Sequence, residues 1–343
     1  MSPSRLAFEL PACLEASSPP ESRGVPRDGV RLLVARRSGE LHHAVFSDLP
    51  RFLEPGDLVV VNTSATIPAA LDVVADGARG VLHVSTRLDD GRFVVELRDG
   101  HGASTMRWTR GAPTCLELPA GASAAPLGWY LGSRRLLVVE LDVGEPWLAW
   151  LARHGRPIRY RYVPRPWPLS AYQTVYATEP GSAEMPSAGR PFSADVIAAL
   201  VARGVGVTPV VLHAGVASLE ADEVPYPERV SVPPWTAARV NETRRSGGRV
   251  VAVGTTVVRA LESAADDDAV VRPFDGWTEL VVGPEHQPVV VDALLTGWHE
   301  PETSHLQLLE AVAGREALEA SYEAALEHRY TFHEFGDSHL VVP

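Results

Sequence analysis

The sequence predicts an α/β domain interrupted by a small all-β module, and three observations carry that reading. From Ser193 onward, helical patterns alternate with short apolar strands, which implies parallel strands under covering helices, with ligand sites at the strands' carboxyl ends. Between about Leu71 and Leu141 the texture changes to strand-like runs broken by turn signals. The chain has 343 residues, 45% of them hydrophobic and 22% charged, enough to bury one large core or two ordinary ones.

The elements follow in chain order. Short apolar runs bounded by Pro and Gly predict buried strands over 31–34 and 57–62, with Leu58-Val59-Val60-Val61 the clearest. Runs 81–87 and 93–98 flank Asp90-Gly91 and predict a hairpin. Strands are also expected over 114–118 and 135–141, with 121–125 a loose connector. After the Pro-rich stretch 164–168, Ser193 is the expected N-cap of a helix over 194–203 that Gly204 ends. Then come a strand over 207–212, a helix over 236–245 stopped by Gly247-Gly248, a strand over 249–253 and a helix over 257–265. A strand over 289–295, a loop over 296–302 and helices over 303–313 and 315–328 complete the run.

Composition narrows the function. The 31 Lys+Arg against 43 Asp+Glu give a net charge of −12, so nucleic-acid binding is not the default. One basic stretch, 153–165, interleaves Arg with Tyr160 and Tyr162; it reads equally as a phosphate-and-base contact or as a solvated connector. Two cysteines, Cys13 and Cys115, fit a reducing compartment. The chain shows neither an apolar run approaching the ~18 residues of a membrane span nor a secretion signal, so a cytoplasmic, membrane-free protein is expected. No metal-ligand spacing is present, and none of the phosphate-loop, dinucleotide or nucleophile-elbow motifs occurs. No metal is expected.

Three polar groups fall just after expected strands: Asn62-Thr63-Ser64, Gly254-Thr255-Thr256, and the stretch from Thr296 to His299. Gly254 before two hydroxyls and a helix offers backbone N–H groups to a carboxylate or phosphate; simple helix capping explains the same pattern. His213 and His299 each follow a strand, where a neutral imidazole can move a proton or serve as a satisfied structural group. Asp292 sits among Val, Ala and Leu and needs a partner, for which Arg259 is the expected mate.

Taken together, Val61-Asn62-Thr63-Ser64-Ala65-Thr66-Ile67-Pro68, Tyr172-Gln173-Thr174-Val175-Tyr176 and Pro186-Ser187-Ala188-Gly189 resemble the S-adenosylmethionine:tRNA ribosyltransferase-isomerase family of queuosine biosynthesis. The resemblance continues through His213, the run from Ala252 to Ser263, Gly276-Trp277-Thr278, the run from Val291 to Thr296, His299, and Gly336-Asp337, so it covers nearly the whole chain. It implies a barrel-like α/β domain, residues 1–70 and 155–343, interrupted by a smaller β-barrel, residues 71–154. It further implies S-adenosylmethionine as co-substrate, with no permanently bound cofactor. The donor would give its ribosyl carbons to a 7-aminomethyl-7-deazaguanine base in tRNA, releasing adenine and methionine. In that chemistry the sulfonium acidifies the C5′ hydrogens and a base must accept a proton.

On the resemblance, His213, His299 and Asp337 are the catalytic candidates. Asn62, Thr63, Gly254, Thr255, Thr256, Arg259 and Thr296 are expected around the donor. Tyr172, Gln173, Tyr176, Pro186, Ser187, Gly189 and Asp292 are expected around the acceptor, and the chain is expected to act as a monomer.

The sequence departs from the family pattern where basic residues are usual. Ala65 and Ala70 replace arginines, Arg190-Pro191 replaces Leu-His, and Glu302 replaces a lysine. Residues 224–229 and 216–220 replace a His-x-Met-His-like stretch and a Gly-Thr run. Each lost cation removes a phosphate contact. The Gly254 motif, Asp292, Thr296 and His299 remain, so the donor side is better kept than the acceptor side, which leaves open a relative that uses the same donor on a small-molecule acceptor, or a non-catalytic binding protein on the same scaffold.

Overall fold

The computed structural model describes residues 6–99, 112–216, 225–283, 285, 287–301 and 303–343. Its strands are β1 (Arg31–Arg36), β2 (Leu41–Val45), β3 (Leu58–Asn62) and β4 (Ser64–Thr66), then β5 (Ala70–Ala75), β6 (Ala78–Arg87), β7 (Phe93–Arg98), β8 (Leu116–Glu117), β9 (Ser123–Trp129) and β10 (Leu136–Asp142). They continue with β11 (Glu179–Ser182), β12 (Gly206–Leu212), β13 (Glu228–Val232), β14 (Val250–Val253), β15 (Phe274–Thr278), β16 (Ala293–Gly297) and β17 (Ser338–Val342). The helices are α1 (Trp147–His154), α2 (Ala194–Ala202), α3 (Pro234–Arg245), α4 (Thr255–Ser263), α5 (Ser304–Ala313) and α6 (Arg315–Glu327).

Among the described residues, nine strands form one mixed sheet in the order β15-β13-β12-β3-β14-β16-β17-β1-β2. Its centre, β12-β3-β14-β16, is parallel, and all five residues of β3 are buried. That is why Leu58 to Val61 reads as one apolar run rather than an alternation. The expected alternation of helix and strand predicts parallel neighbours throughout, yet β17 runs antiparallel to β16. Two successive helices, α5 and α6, separate these strands; a helix pair returns the chain to the end it left, so the next strand must run backwards. Two further strands, β13 and β15, extend the sheet by antiparallel pairing.

The smaller unit is a closed barrel in the order β10-β7-β6-β5-β8-β9. The expected hairpin is β6 and β7, and closure leaves no free sheet edge. Stretch 121–125, expected as a connector, contributes its last three residues to β9. The chain enters and leaves the barrel side by side: Ala70 and Arg156 exchange backbone hydrogen bonds of 2.8 and 2.9 Å. At this crossing a Cβ on Gly155 would lie 2.0 Å from the Pro68 carbonyl oxygen, so only glycine fits. No helix among the described residues is long and apolar enough to cross a membrane.

The strand expected over 289–295 is only half formed. Val289, Val290 and Val291 donate their N–H groups to the buried carboxylate of Glu262 at 2.9 to 3.0 Å, and ladder pairing begins at Ala293. A side-chain carboxylate here replaces a neighbouring strand as acceptor. Helix α4 begins two residues earlier than expected, at Thr255, because Gly254 serves as its N-cap.

Inside the barrel, buried Glu96 pairs with Arg98 at 3.0 Å and Arg135 at 3.2 Å and lies near His83. Burial pushes its carboxyl up, but His83 and the two arginines outweigh that and hold it down at about 2. A carboxylate depressed on folding contributes stability above its unfolded value near 4.5 and loses it as the pH falls to about 2. Glu96→Gln should therefore lower the urea midpoint at neutral pH, with the gap to the parent protein closing between about pH 4.5 and 2. A gap that stays constant across that range would contradict the assignment.

Candidate active site

A cavity of about 360 Å³ lies where the carboxyl ends of the central strands face the barrel. Val253 of β14 and Gly254 after it, with Thr296 and Gly297 of β16, form one side; Ser85, Val94 and Leu136 of the barrel form the other. Gly254 is required at its turn: its φ is +89°, and a Cβ there would meet the Ala188 methyl at 3.3 Å. The turn brings Thr255 and Thr256, in the first turn of α4, onto the cavity. A helix N-terminus presents unpaired N–H groups, the property that suits a carboxylate.

His299 also lines the cavity. Its Nε2 is 3.0 Å from Thr296 Oγ1, its ring stacks on His305 at 4.6 Å and 4°, and its backbone N–H donates to the Tyr322 hydroxyl at 3.2 Å. Burial, reinforced by three neighbouring histidines, drives the His299 imidazole well below the usual range. Burial takes His305 down to about 4. Both rings are neutral at physiological pH, the form that accepts a proton. Arg259 reaches the cavity from the same helix as the threonines, one turn on. It is not the mate of Asp292 expected from the sequence. Its guanidinium pairs with Glu228 and donates to the carbonyls of Leu280 and Thr278 at 2.9 and 3.3 Å. Asp292 instead accepts the Val250 N–H at 2.8 Å.

The opposite wall was not legible from the sequence. Tyr160 and Tyr162, from the basic stretch, line the cavity with their hydroxyls on Glu184 and Glu334, while Arg159, Arg161 and Arg165 are exposed. Burial pushes both phenols well above their usual range and raises Glu334 to about 7. The interleaved aromatics were a signal for the tyrosines; nothing local marked Glu184 or Glu334.

Tyr172, Pro186 and Ser187 line the same cavity. Other expected site residues lie behind it. Asn62 brackets the backbone: its Oδ1 accepts from Leu212 N and Ser64 N at 3.0 Å, and its Nδ2 donates to Leu212 O at 2.8 Å. Thr63 donates to the Val210 carbonyl. His213 Nδ1 is 2.7 Å from Ser64 Oγ, which is 2.6 Å from Ser182 Oγ. Gln173 pairs with both backbone groups of Thr66. A Cβ on Gly189 would strike the Tyr176 hydroxyl at 2.1 Å, so these two fix each other's place. Asp337 accepts from Arg31 and Thr331, tying β1 to the segment before β17.

Two departures from the family pattern have a structural account. Arg190 is buried, donates to Glu21 at 2.8 Å and lies 5.3 Å from the Phe335 ring centre. Ala65 and Ala70 are buried as well, leaving no basic side chain at either place. Glu302, Val224 and residues 217–220 lie outside the described residues.

Ends of the sheet's parallel central strands, a helix N-terminus and neutral imidazoles, facing a barrel across a cavity, give the architecture of an α/β enzyme. The family model for "queuosine biosynthesis protein" matches residues 3–341. The chain is 36% identical to the S-adenosylmethionine:tRNA ribosyltransferase-isomerase of Symbiobacterium thermophilum, over 98% of each chain. It is 34% identical to that of Thermotoga maritima over the full length of both. The crystal structure of an S-adenosylmethionine tRNA ribosyltransferase from Thermotoga maritima superposes with a TM-score of 0.55 at 30% identity, covering 98% of this chain and 99% of that one. The chain belongs to the queuosine biosynthesis protein family.

Proposed function

We propose that this enzyme is an S-adenosylmethionine:tRNA ribosyltransferase-isomerase, moving the donor's ribosyl carbons onto a 7-aminomethyl-7-deazaguanine base in tRNA. The observation that carries this reading is full-length similarity to relatives of that name, joined to a cavity that gathers neutral His299, Thr296 and the Gly254-Thr255-Thr256 turn. The N-terminus of α4 suits the methionyl carboxylate, and His299 is the proposed acceptor of the C5′ proton. Glu228 holds Arg259 against the cavity, where its charge opposes negative charge developing on oxygen. Tyr172 is the proposed stacking face for a base. Asn62, Thr63, His213, Gln173, Tyr176, Gly189, Asp292 and Asp337 are positioning residues in this scheme, because their polar groups or contacts hold the backbone that shapes the chamber.

The barrel, residues 71–154, is proposed as an inserted unit that roofs the cavity, with Arg161 and Arg165 free to meet tRNA phosphates. The enzyme would work as a monomer in the cytoplasm and hold no permanent cofactor. Incubation with S-adenosylmethionine and tRNA carrying the aminomethyl base should release adenine and methionine in equal amounts, followed by mass spectrometry. Release that is indifferent to tRNA would redirect the reading to a small acceptor, and no release under either condition would end it.

A further inference from the structure

Three polar side chains converge at the tyrosine side of the cavity. Nε2 of His333 lies 3.7 Å from Oε1 of Glu15 and 3.8 Å from Oε1 of Glu300, and one ligand atom from each residue falls within 4.8 Å of the others. The His333 side chain is only 6% exposed, and its Nε2 is buried without a hydrogen-bond partner. Leaving such a nitrogen unpaired costs about 1–3 kcal/mol. The ring is held in this orientation: it stacks on Tyr162 at 3.9 Å and 9°, Tyr162 stacks on Tyr160, and the backbone of His333 has a φ of +72°.

The arrangement lacks a cation of its own. Both carboxylates accept only, and burial, followed by repulsion from Glu15, raises Glu300. Burial takes the His333 imidazole down to about 4, so the ring is neutral and does not serve as the missing cation. The cation acting on Glu300 is Arg161, whose side chain is exposed. Elsewhere on the cavity wall, Glu184 and Glu334 accept from tyrosines, while Arg259 is engaged by Glu228. Glu300 and His333 line the cavity, so the gap between the acceptors is reached from the reaction chamber. A primary ammonium fits this gap, bringing positive charge and three N–H donors to the two carboxylates and the imidazole.

We infer that Glu15, Glu300 and His333 form a binding site for the primary ammonium group of a ligand held in the cavity. The inference rests on the proposed function, in which both reactants carry such a group: the α-ammonium of S-adenosylmethionine and the aminomethyl group of the acceptor base. The carboxylates supply charge, and the imidazole, in the tautomer protonated on Nδ1, supplies the third acceptor through Nε2.

Equilibrium binding tests it without turnover. The affinities of S-adenosylmethionine and of free 7-aminomethyl-7-deazaguanine are measured by calorimetry for the parent protein, Glu300→Gln and Glu15→Gln. Both substitutions keep side-chain volume at positions that are not fully buried, so folding is retained. Losing a charge-assisted hydrogen bond should weaken one ligand about tenfold or more and leave the other within about twofold. Weakened S-adenosylmethionine assigns the site to the donor, and weakened deazaguanine assigns it to the acceptor. Unchanged affinities for both, or no binding of either to the parent protein, overturn the inference. So does saturable Mn²⁺ binding that Glu300→Gln abolishes while both amine ligands bind as before, since the triad would then be a metal site. Adenine release by the parent protein is scored separately: release with unchanged variant affinities removes the ammonium site and keeps the proposed function, and the converse result does the opposite.

Discussion

Replacing His299 with alanine is expected to cut adenine release by about 10²-fold or more, while His213→Ala costs less than about tenfold. The two histidines read alike in the sequence, each following a strand, and only one of them borders the cavity. His299 is neutral and lines the chamber, with its Nε2 3.0 Å from Thr296 Oγ1; His213 is turned to Ser64 behind the wall. His299→Gln, which keeps a polar group near Thr296 and removes the basic nitrogen, should be impaired as much as the alanine variant, with an unchanged melting temperature. The sign of the pH dependence follows from the depressed imidazole. Because His299 is held well below its ordinary value, the proton-accepting form persists as the pH falls from 8 to 6, and no loss of rate in that window should trace to this group. Equal losses in His213→Ala and His299→Ala, or none in either, would remove His299 as the proton acceptor.

The largest stability effect is expected at Glu262, which lies in the run from Ala252 to Ser263 but for which the sequence suggests no role. Its carboxylate accepts three backbone N–H groups, from Val289 at 2.9 Å and from Val290 and Val291 at 3.0 Å. Glu262→Ala would leave these donors, two of them in buried residues, without an acceptor. At about 1–3 kcal/mol for each unpaired group, partly relieved by local relaxation and water, the expected loss is about 3–5 kcal/mol. Glu262→Gln should fall between, since its carbonyl oxygen still accepts while its amide meets at least one donor face to face. Urea denaturation measures both. A Glu262→Ala variant within about 1 kcal/mol of the parent would show that the segment finds other partners. The effect should also reach the site, because this segment leads directly into β16 and Thr296.

The resemblance carried the family and the fold class because its motifs lie on short, continuous runs: Asn62-Thr63-Ser64 closes β3, and Gly254-Thr255-Thr256 joins β14 to α4. Such runs combine local turn geometry with an apolar strand, and both leave marks in neighbouring residues. The expected pairing of Arg259 with Asp292 failed for the opposite reason. Which carboxylate meets a guanidinium depends on how strands pair, and β13, which brings Glu228 to Arg259, was not recognised as a strand. The same holds for the chamber's far wall. Glu184, Glu300 and Glu334 come from three distant parts of the chain, and each taken alone reads as an ordinary surface acid.

The central apolar strands, most of the helices and the strand-rich texture of the insertion are legible in neighbouring residues, since these follow from periodicity over a few positions. The tertiary structure alone decided which histidine faces the chamber, which carboxylate holds Arg259, and where polar side chains gather without a cation of their own. Those outcomes depend on burial and on charges brought together from distant parts of the chain, and the free energy of a buried polar group is set by its neighbours in space, whatever their separation along the chain.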